Sequence, residues 1–231
     1  RYTWAERQRG LALEKLGRHA EALAAYRRMA AMTPDDRWVY FNQALMLIEL
    51  GQFREALEPL QRGTNLAPSD ARFPAYIGYV LRRTGQPEES LIAFDHGLTL
   101  NPQYAWAWNE KGIALEALRH FDEALAAYRA AAQFNPKSAL YLTNQANALH
   151  ELKRYDEALA ATEQALTIDP NYARAWAKQA QALRLLERYA DALTACDRAL
   201  AIDPHYAWAF TNKGLTLQAL NRREEALQAF A

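Results

Sequence analysis

Prolines at positions 34, 68, 102, 136, 170 and 204 recur every 34 residues without a single insertion. So strict a period leaves few folds open, because each stretch between prolines must be a complete supersecondary element that stacks on copies of itself. Counting from the prolines gives a register in which position 1 is Thr3, Arg37, Ala71, Ala105, Ala139, Ala173 and Ala207. Position 11 is then always leucine: Leu13, Leu47, Leu81, Leu115, Leu149, Leu183 and Leu217. So is position 21: Leu23, Leu57, Leu91, Leu125, Leu159, Leu193 and Leu227.

The stretch 105–138 shows what one period encodes. Trp108, Lys111, Gly112 and Leu115 fall at i, i+3, i+4 and i+7, and Phe121, Ala124, Leu125, Tyr128, Ala131 and Ala132 form a second stripe of the same kind. That pattern predicts two amphipathic helices. Leu118-Arg119-His120 leaves room only for a tight turn, so the two lie antiparallel, and Asn135-Pro136 stops the second. Such a hairpin cannot bury both stripes alone and needs neighbours on either side. The reading is all-α, with one array over 1–231 and repeats at 3–36, 37–70, 71–104, 105–138, 139–172, 173–206 and 207–231, the last cut short. The stretch reads as an excerpt from a longer protein.

Local departures from the repeat carry their own expectations. Gly17, Gly51 and Gly85 occupy the inter-helix turn of the first three repeats, then Arg119, Lys153, Glu187 and Asn221 replace them, so the turn should change character midway. Pro59 falls in the second turn of a second helix and predicts a bend there, which with Gly63 would make 53–66 the weakest joint. Tyr104, Tyr172, Tyr206, Trp108 and Trp176 are expected in the core.

The W-x2-L-G-x2-L run at positions 4 to 11, alanine at 20, an aromatic at 24, alanine at 27 and proline at 32 resemble the tetratricopeptide repeat. The fourth repeat keeps most of that pattern as Trp108, Gly112, Leu115, Ala124, Tyr128, Ala131 and Pro136. The resemblance implies a right-handed superhelical α-solenoid whose first helices line an inner groove that binds proteins or peptides. It also implies a known clamp for a terminal carboxylate: Lys at position 5 and Asn at 9 of one repeat, Asn at 6 of the next, then Lys at 2 and Arg at 6 of a third. Arg7, Asn42 and Arg72 fit part of it, with Leu11 and Tyr76 departing; Asn144, Arg174 and Lys178 fit its later positions, with Asn109 and Ile113 departing. Neither set is complete.

Charge and motifs narrow the function. Lys plus Arg equal Asp plus Glu at 27 each, so there is no basic footprint for nucleic acid or for an acidic membrane. The single cysteine, Cys196, replaces an aromatic of position 24 and reads as a buried apolar residue. No apolar run approaches a membrane span, and the stretch reads as cytoplasmic, although an excerpt without a signal peptide says nothing of the parent's address. Phosphate-loop, dinucleotide, nucleophile-elbow and zinc motifs are all missing, and the five histidines never pair on one turn. We expect no enzyme, no cofactor and no metal site.

What remains is recognition. Positions 2, 5, 6, 9, 12 and 13 of each first helix point away from the core stripe. In the first three repeats that arc is aromatic with arginines: Arg7, Trp38, Phe41, Asn42, Arg72, Tyr76 and Tyr79. In the later repeats it is polar and rich in amides: Asn109, Asn144, Asn147, Lys178, Gln181, Arg184 and Asn212. Side-chain amides both donate and accept, so this row is expected to pair with the backbone of an extended peptide, with the aromatics as anchors. The partner is then a protein or peptide. The alternative is a structural or regulatory segment whose bare ends, Leu227 and Phe230 at one of them, stack head to tail.

Overall fold

The computed structural model describes residues 2–230. Among these are fourteen helices and no strand. The first helices of the repeats are α1 (Tyr2–Lys15), α3 (Arg37–Glu49), α5 (Arg72–Arg83), α7 (Ala105–Ala117), α9 (Ala139–Glu151), α11 (Ala173–Leu185) and α13 (Ala207–Ala219). The second helices are α2 (His19–Met32), α4 (Leu57–Leu66), α6 (Pro87–Leu100), α8 (Phe121–Phe134), α10 (Tyr155–Ile168), α12 (Tyr189–Ile202) and α14 (Arg223–Phe230). Contacts gather into two compact units, one holding α1–α7 and the other α8–α14, divided at Leu118.

Elementary signals explain the boundaries. Before the period's proline, Asn101, Asp169 and Asp203 each accept a hydrogen bond from the backbone N–H two residues on, forming turns that end one repeat and launch the next. Asp36 Oδ1 caps α3 by accepting from Trp38 N at 3.0 Å. Trp108 and Trp176 are half-buried and donate Nε1–H to the carbonyls of Pro102 and Pro170, at 2.8 and 2.9 Å. The position 4 indole therefore ties each loop to the helix that follows it.

The position 11 leucines form the spine of both units: Leu13, Leu47, Leu115, Leu149, Leu183 and Leu217 are buried and Leu81 half-buried. The first unit surrounds it with large side chains, including Tyr26, Met46, Leu60, Phe73 and Phe94, all shut off from solvent. The second unit is packed largely with alanine, through Ala165, Ala175, Ala177, Ala199 and Ala209.

Positions 8 and 24 face each other across the hairpins of repeats 1, 3 and 7, and the residue types at the two positions compensate in size along the array. An added Cβ on Gly10 would stand 2.4 Å from the Tyr26 ring, on Gly78 3.0 Å from Phe94, and on Gly214 2.4 Å from Phe230. Repeats with alanine at position 8 (Ala44, Ala146, Ala180) carry the smaller Leu60, Thr162 and Cys196 at position 24. Close packing demands this trade. It also accounts for Cys196, a buried thiol whose pKa burial pushes up to about 12.

Two expectations need correction. The turn does not change character: Lys153, Glu187 and Asn221 sit at φ 59°, 60° and 58°, the same left-handed region as Gly17, Gly51 and Gly85. The reason is the cap. In glycine and non-glycine turns alike the residue after the left-handed one donates to the position 11 leucine carbonyl, as in Arg18 to Leu13, Arg154 to Leu149 and Arg188 to Leu183, and those bonds fix the backbone whatever the side chain. Non-glycine residues there bear steric cost, so Lys153→Gly and Glu187→Gly should each add about 0.5–1 kcal/mol of stability. A higher urea midpoint at unchanged slope is the expected observation; a lower one contradicts it.

Nor does Pro59 bend a helix. Helix α4 starts at Leu57 instead of near residue 53, and 53–56 form turns in which Ala56 N donates to both Phe53 O and Gln52 O and Leu57 N donates to Arg54 O. This places the proline third in the helix, where a missing N–H costs no intrahelical bond. The chain shortened the helix rather than kink it, and Gly63 lies buried against Phe73.

Candidate inner-face binding site

Three pairs of successive first helices touch, α5 with α7, α9 with α11 and α11 with α13, and no two successive second helices pack to the same extent; α1 and α3 meet through Arg7 and Trp38, and α3 and α5 through Phe41 and Phe73. First helices therefore form the inner side of each unit, and positions 2, 5, 6, 9, 12 and 13 are what they show there.

Much of that arc is spent joining one repeat to the next. In the first unit, residues at position 5 or 6 meet position 2 of the following repeat: the Arg7 guanidinium lies 4.1 Å over the Trp38 ring, Arg72 lies 4.8 Å over Phe41, and Tyr76 stacks on Trp106 at 4.6 Å. Tyr76 also meets Phe41 edge-on at 5.1 Å and Tyr79 at 6.4 Å. The same rungs recur in the second unit: Arg174 donates to Asn144 Oδ1 at 3.1 Å, and Lys178 Nζ lies 5.2 Å over Trp208.

The expected site residues thus divide. Phe41, Asn42, Asn109, Asn144, Gln181 and Asn212 are buried; Trp38, Tyr76, Tyr79, Asn147, Lys178 and Arg184 are half-buried, and Arg7 and Arg72 are exposed. Asn42 and Asn212 each donate Nδ2–H to the carbonyl of their own position 2 residue, Trp38 at 2.7 Å and Trp208 at 2.8 Å. Asn109 donates to Glu110. Lys178 donates to both Asn147 Oδ1 and Gln181 Oε1, and Gln181 Nε2 donates to His150 Nε2 at 2.7 Å. The amides that were expected to meet a peptide backbone serve, in these contacts, to hold the wall together. Burial explains it, because a shielded amide must find protein partners.

What reaches solvent is therefore richer in rings and cations than in amides. On the first unit it is Trp38, Tyr76, Tyr79, Trp106, Arg7 and Arg72; on the second Arg174, Lys178, Arg184 and Trp208. Phe53, His150 and Trp208 belong to these surfaces and were not singled out. For His150 and Trp208 the signal was their register, positions 12 and 2; Phe53, from the turn before α4, carried none. Arg83 lies 4.6 Å over the Phe53 ring and donates to Tyr79 Oη at 3.1 Å.

Electrostatics follow from the same contacts. Arg82 Nη2 lies 2.5 Å from Glu110 Oε2, with the two side chains 18% and 10% exposed. The bond from Arg72, opposed by burial, lowers the Asp70 carboxyl pKa, and burial raises that of Tyr76. Burial first, and then the charges of Lys178 and Arg184, lower the His150 pKa against the opposing pull of Glu151. A neutral imidazole accepting from Gln181 carries its proton on Nδ1, which faces Glu151 Oε1 at 3.3 Å. Among the described residues no three of His, Cys, Asp or Glu come together as a metal site would require, and no helix is long and apolar enough to cross a membrane.

Comparison with known proteins bears on the fold. Sequence models described as tetratricopeptide repeat match residues 13–74, 109–173 and 173–206. No curated protein matches the sequence. Among solved structures, the chain is similar to YrrB, described as a TPR protein with an unusual peptide-binding site, at 21% identity and TM-score 0.66, covering 85% of this chain and 98% of that one. It is also similar to PilF of Pseudomonas aeruginosa, at 19% identity and TM-score 0.73, covering 84% and 88%. A third likeness is to the C-terminal part of a TPR repeat-containing protein from Cytophaga hutchinsonii, at 14% identity and TM-score 0.75, covering 96% and 93%.

Proposed function

Because the chain belongs to the tetratricopeptide repeat family, we propose that it is a non-enzymatic protein-interaction module that holds an extended partner segment against the inner face of its first helices. The observation that carries this reading is the cluster of half-buried rings Tyr76, Tyr79 and Trp106 on that face, each in contact with the other two and Tyr76 stacked on Trp106. Rings already fixed by their neighbours lose little freedom on binding, so they serve as anchors at low entropic cost. YrrB, with the same fold, is described as having a peptide-binding site.

The test is a displayed library of extended peptides. Tyr76→Ser with Tyr79→Ser, and separately Asn147→Ala with Lys178→Ala, should each remove a class of selected peptides. Arg62→Ser with Arg198→Ser, on second helices, should remove none. Unchanged selection by both inner-face variants would refute the proposal.

A further inference from the structure

We propose that the inner face of the second unit selects an acidic segment, reading carboxylate side chains within an extended chain rather than a chain terminus. This inference rests on the interaction-module reading and adds the chemistry of the partner.

The charge on that face is one-sided. The inner positions of α9, α11 and α13 hold Arg174, Lys178 and Arg184 as cations and Glu151 as the one carboxylate; the charged residue of α13, Lys213, stands at position 7, off that arc, and is paired with Asp197. Elsewhere in the same unit arginines meet carboxylates at short range, Arg154 with Glu157, Arg188 with Asp191 and Arg222 with Glu225. Arg174 differs, being held in place by the neutral oxygen of Asn144. Arg184 goes further, its Nε–H buried with no hydrogen-bond partner. The half-buried guanidinium as a whole meets no carboxylate among the described residues, and a carboxylate docked at its accessible edge supplies the missing counter-charge.

Spacing says what shape of ligand fits. Arg174 and Arg184 are ten residues apart on α11, about 15 Å along the helix axis. An extended chain covers that distance in roughly four or five residues. Lys178 stands between them on α11, and its ammonium lies over Trp208, which is 38% exposed. The matching segment therefore carries two acidic residues about four apart, flanking an apolar residue that rests on the indole. Attack on a free terminus is not implied, since Asn109 and Ile113 stand where a terminal-carboxylate clamp needs Lys and Asn.

The experiment uses the whole chain and a fluorescent peptide, acetylated and amidated, with two glutamates about four residues apart around a leucine. Replacing both glutamates by glutamine should weaken binding about tenfold or more, and so should Arg174→Gln with Arg184→Gln in the protein. Arg174→Lys with Arg184→Lys should restore most of the affinity. Binding should also raise the His150 pKa, read from imidazole resonances, because a carboxylate docked there offsets the charges of Lys178 and Arg184. Equal binding of the glutamine peptide, sensitive to Trp208→Ser, would overturn the acidic preference while leaving the inner-face reading intact. Binding of neither peptide, an unmoved His150, or tighter binding of a single-stranded oligonucleotide would each overturn it as well.

Discussion

Replacing Phe73 by alanine is expected to lower the unfolding free energy by about 3–5 kcal/mol. Its ring is fully shut off from solvent and joins α5 to the core that α2, α3 and α4 build, touching Phe41 edge-on at 5.5 Å. The ring fits only because Gly63 has no side chain; an added Cβ would stand 1.9 Å from Phe73 Cε1. Gly63→Ala alone should therefore cost about 1–3 kcal/mol through overpacking. In the Phe73→Ala background the same change has room, and its sign should reverse, because alanine exceeds glycine in helix propensity by about 1 kcal/mol. Urea unfolding of the four proteins measures the coupling. Additive effects would show that the two residues do not meet as described.

The second large effect concerns the ion pair on the inner face. Glu110→Leu should cost about 2–3 kcal/mol, because it strands the mostly buried guanidinium of Arg82 and leaves its second donor group, already lacking a partner at Nε, harder to satisfy. Arg82→Met should cost about as much by stranding the Glu110 carboxylate, which also accepts from Asn109. The double variant should be more stable than either single one, since apolar neighbours do not need each other's charge. A double variant as unstable as the sum of the two would mean that the side chains act independently.

How far the sequence could be read depended on what each residue answers to. The leucines at positions 11 and the helix pairs followed from periodicity, since burial is a property of the register, and Leu47, Leu149 and Leu217 are buried as that register requires. Backbone geometry was harder. Lys153 and Glu187 look nothing like glycine, yet the capping bonds hold them in the glycine conformation. Pro59 was read against a helix of standard length, whereas the chain moved the helix start. Angular position set Phe41, Asn144 and Asn212 apart from the leucine stripe, and it could not say that they would be buried all the same. Amide composition alone does not tell whether an amide faces a ligand or a lysine. The size exchange between positions 8 and 24 was present in the sequence, and only the distances from Gly10 to Tyr26 and from Gly214 to Phe230 gave it meaning.

The claim on which the functional account stands is that partners lie against first helices. A photo-crosslinking residue placed at Tyr79 or Trp208, on first helices, and at Arg62 or Arg198, on second helices, tests it directly with any peptide that the library selects. Cross-links confined to the Tyr79 and Trp208 positions, lost on adding unlabelled peptide, are the predicted result. Cross-links from Arg62 or Arg198 alone would contradict it.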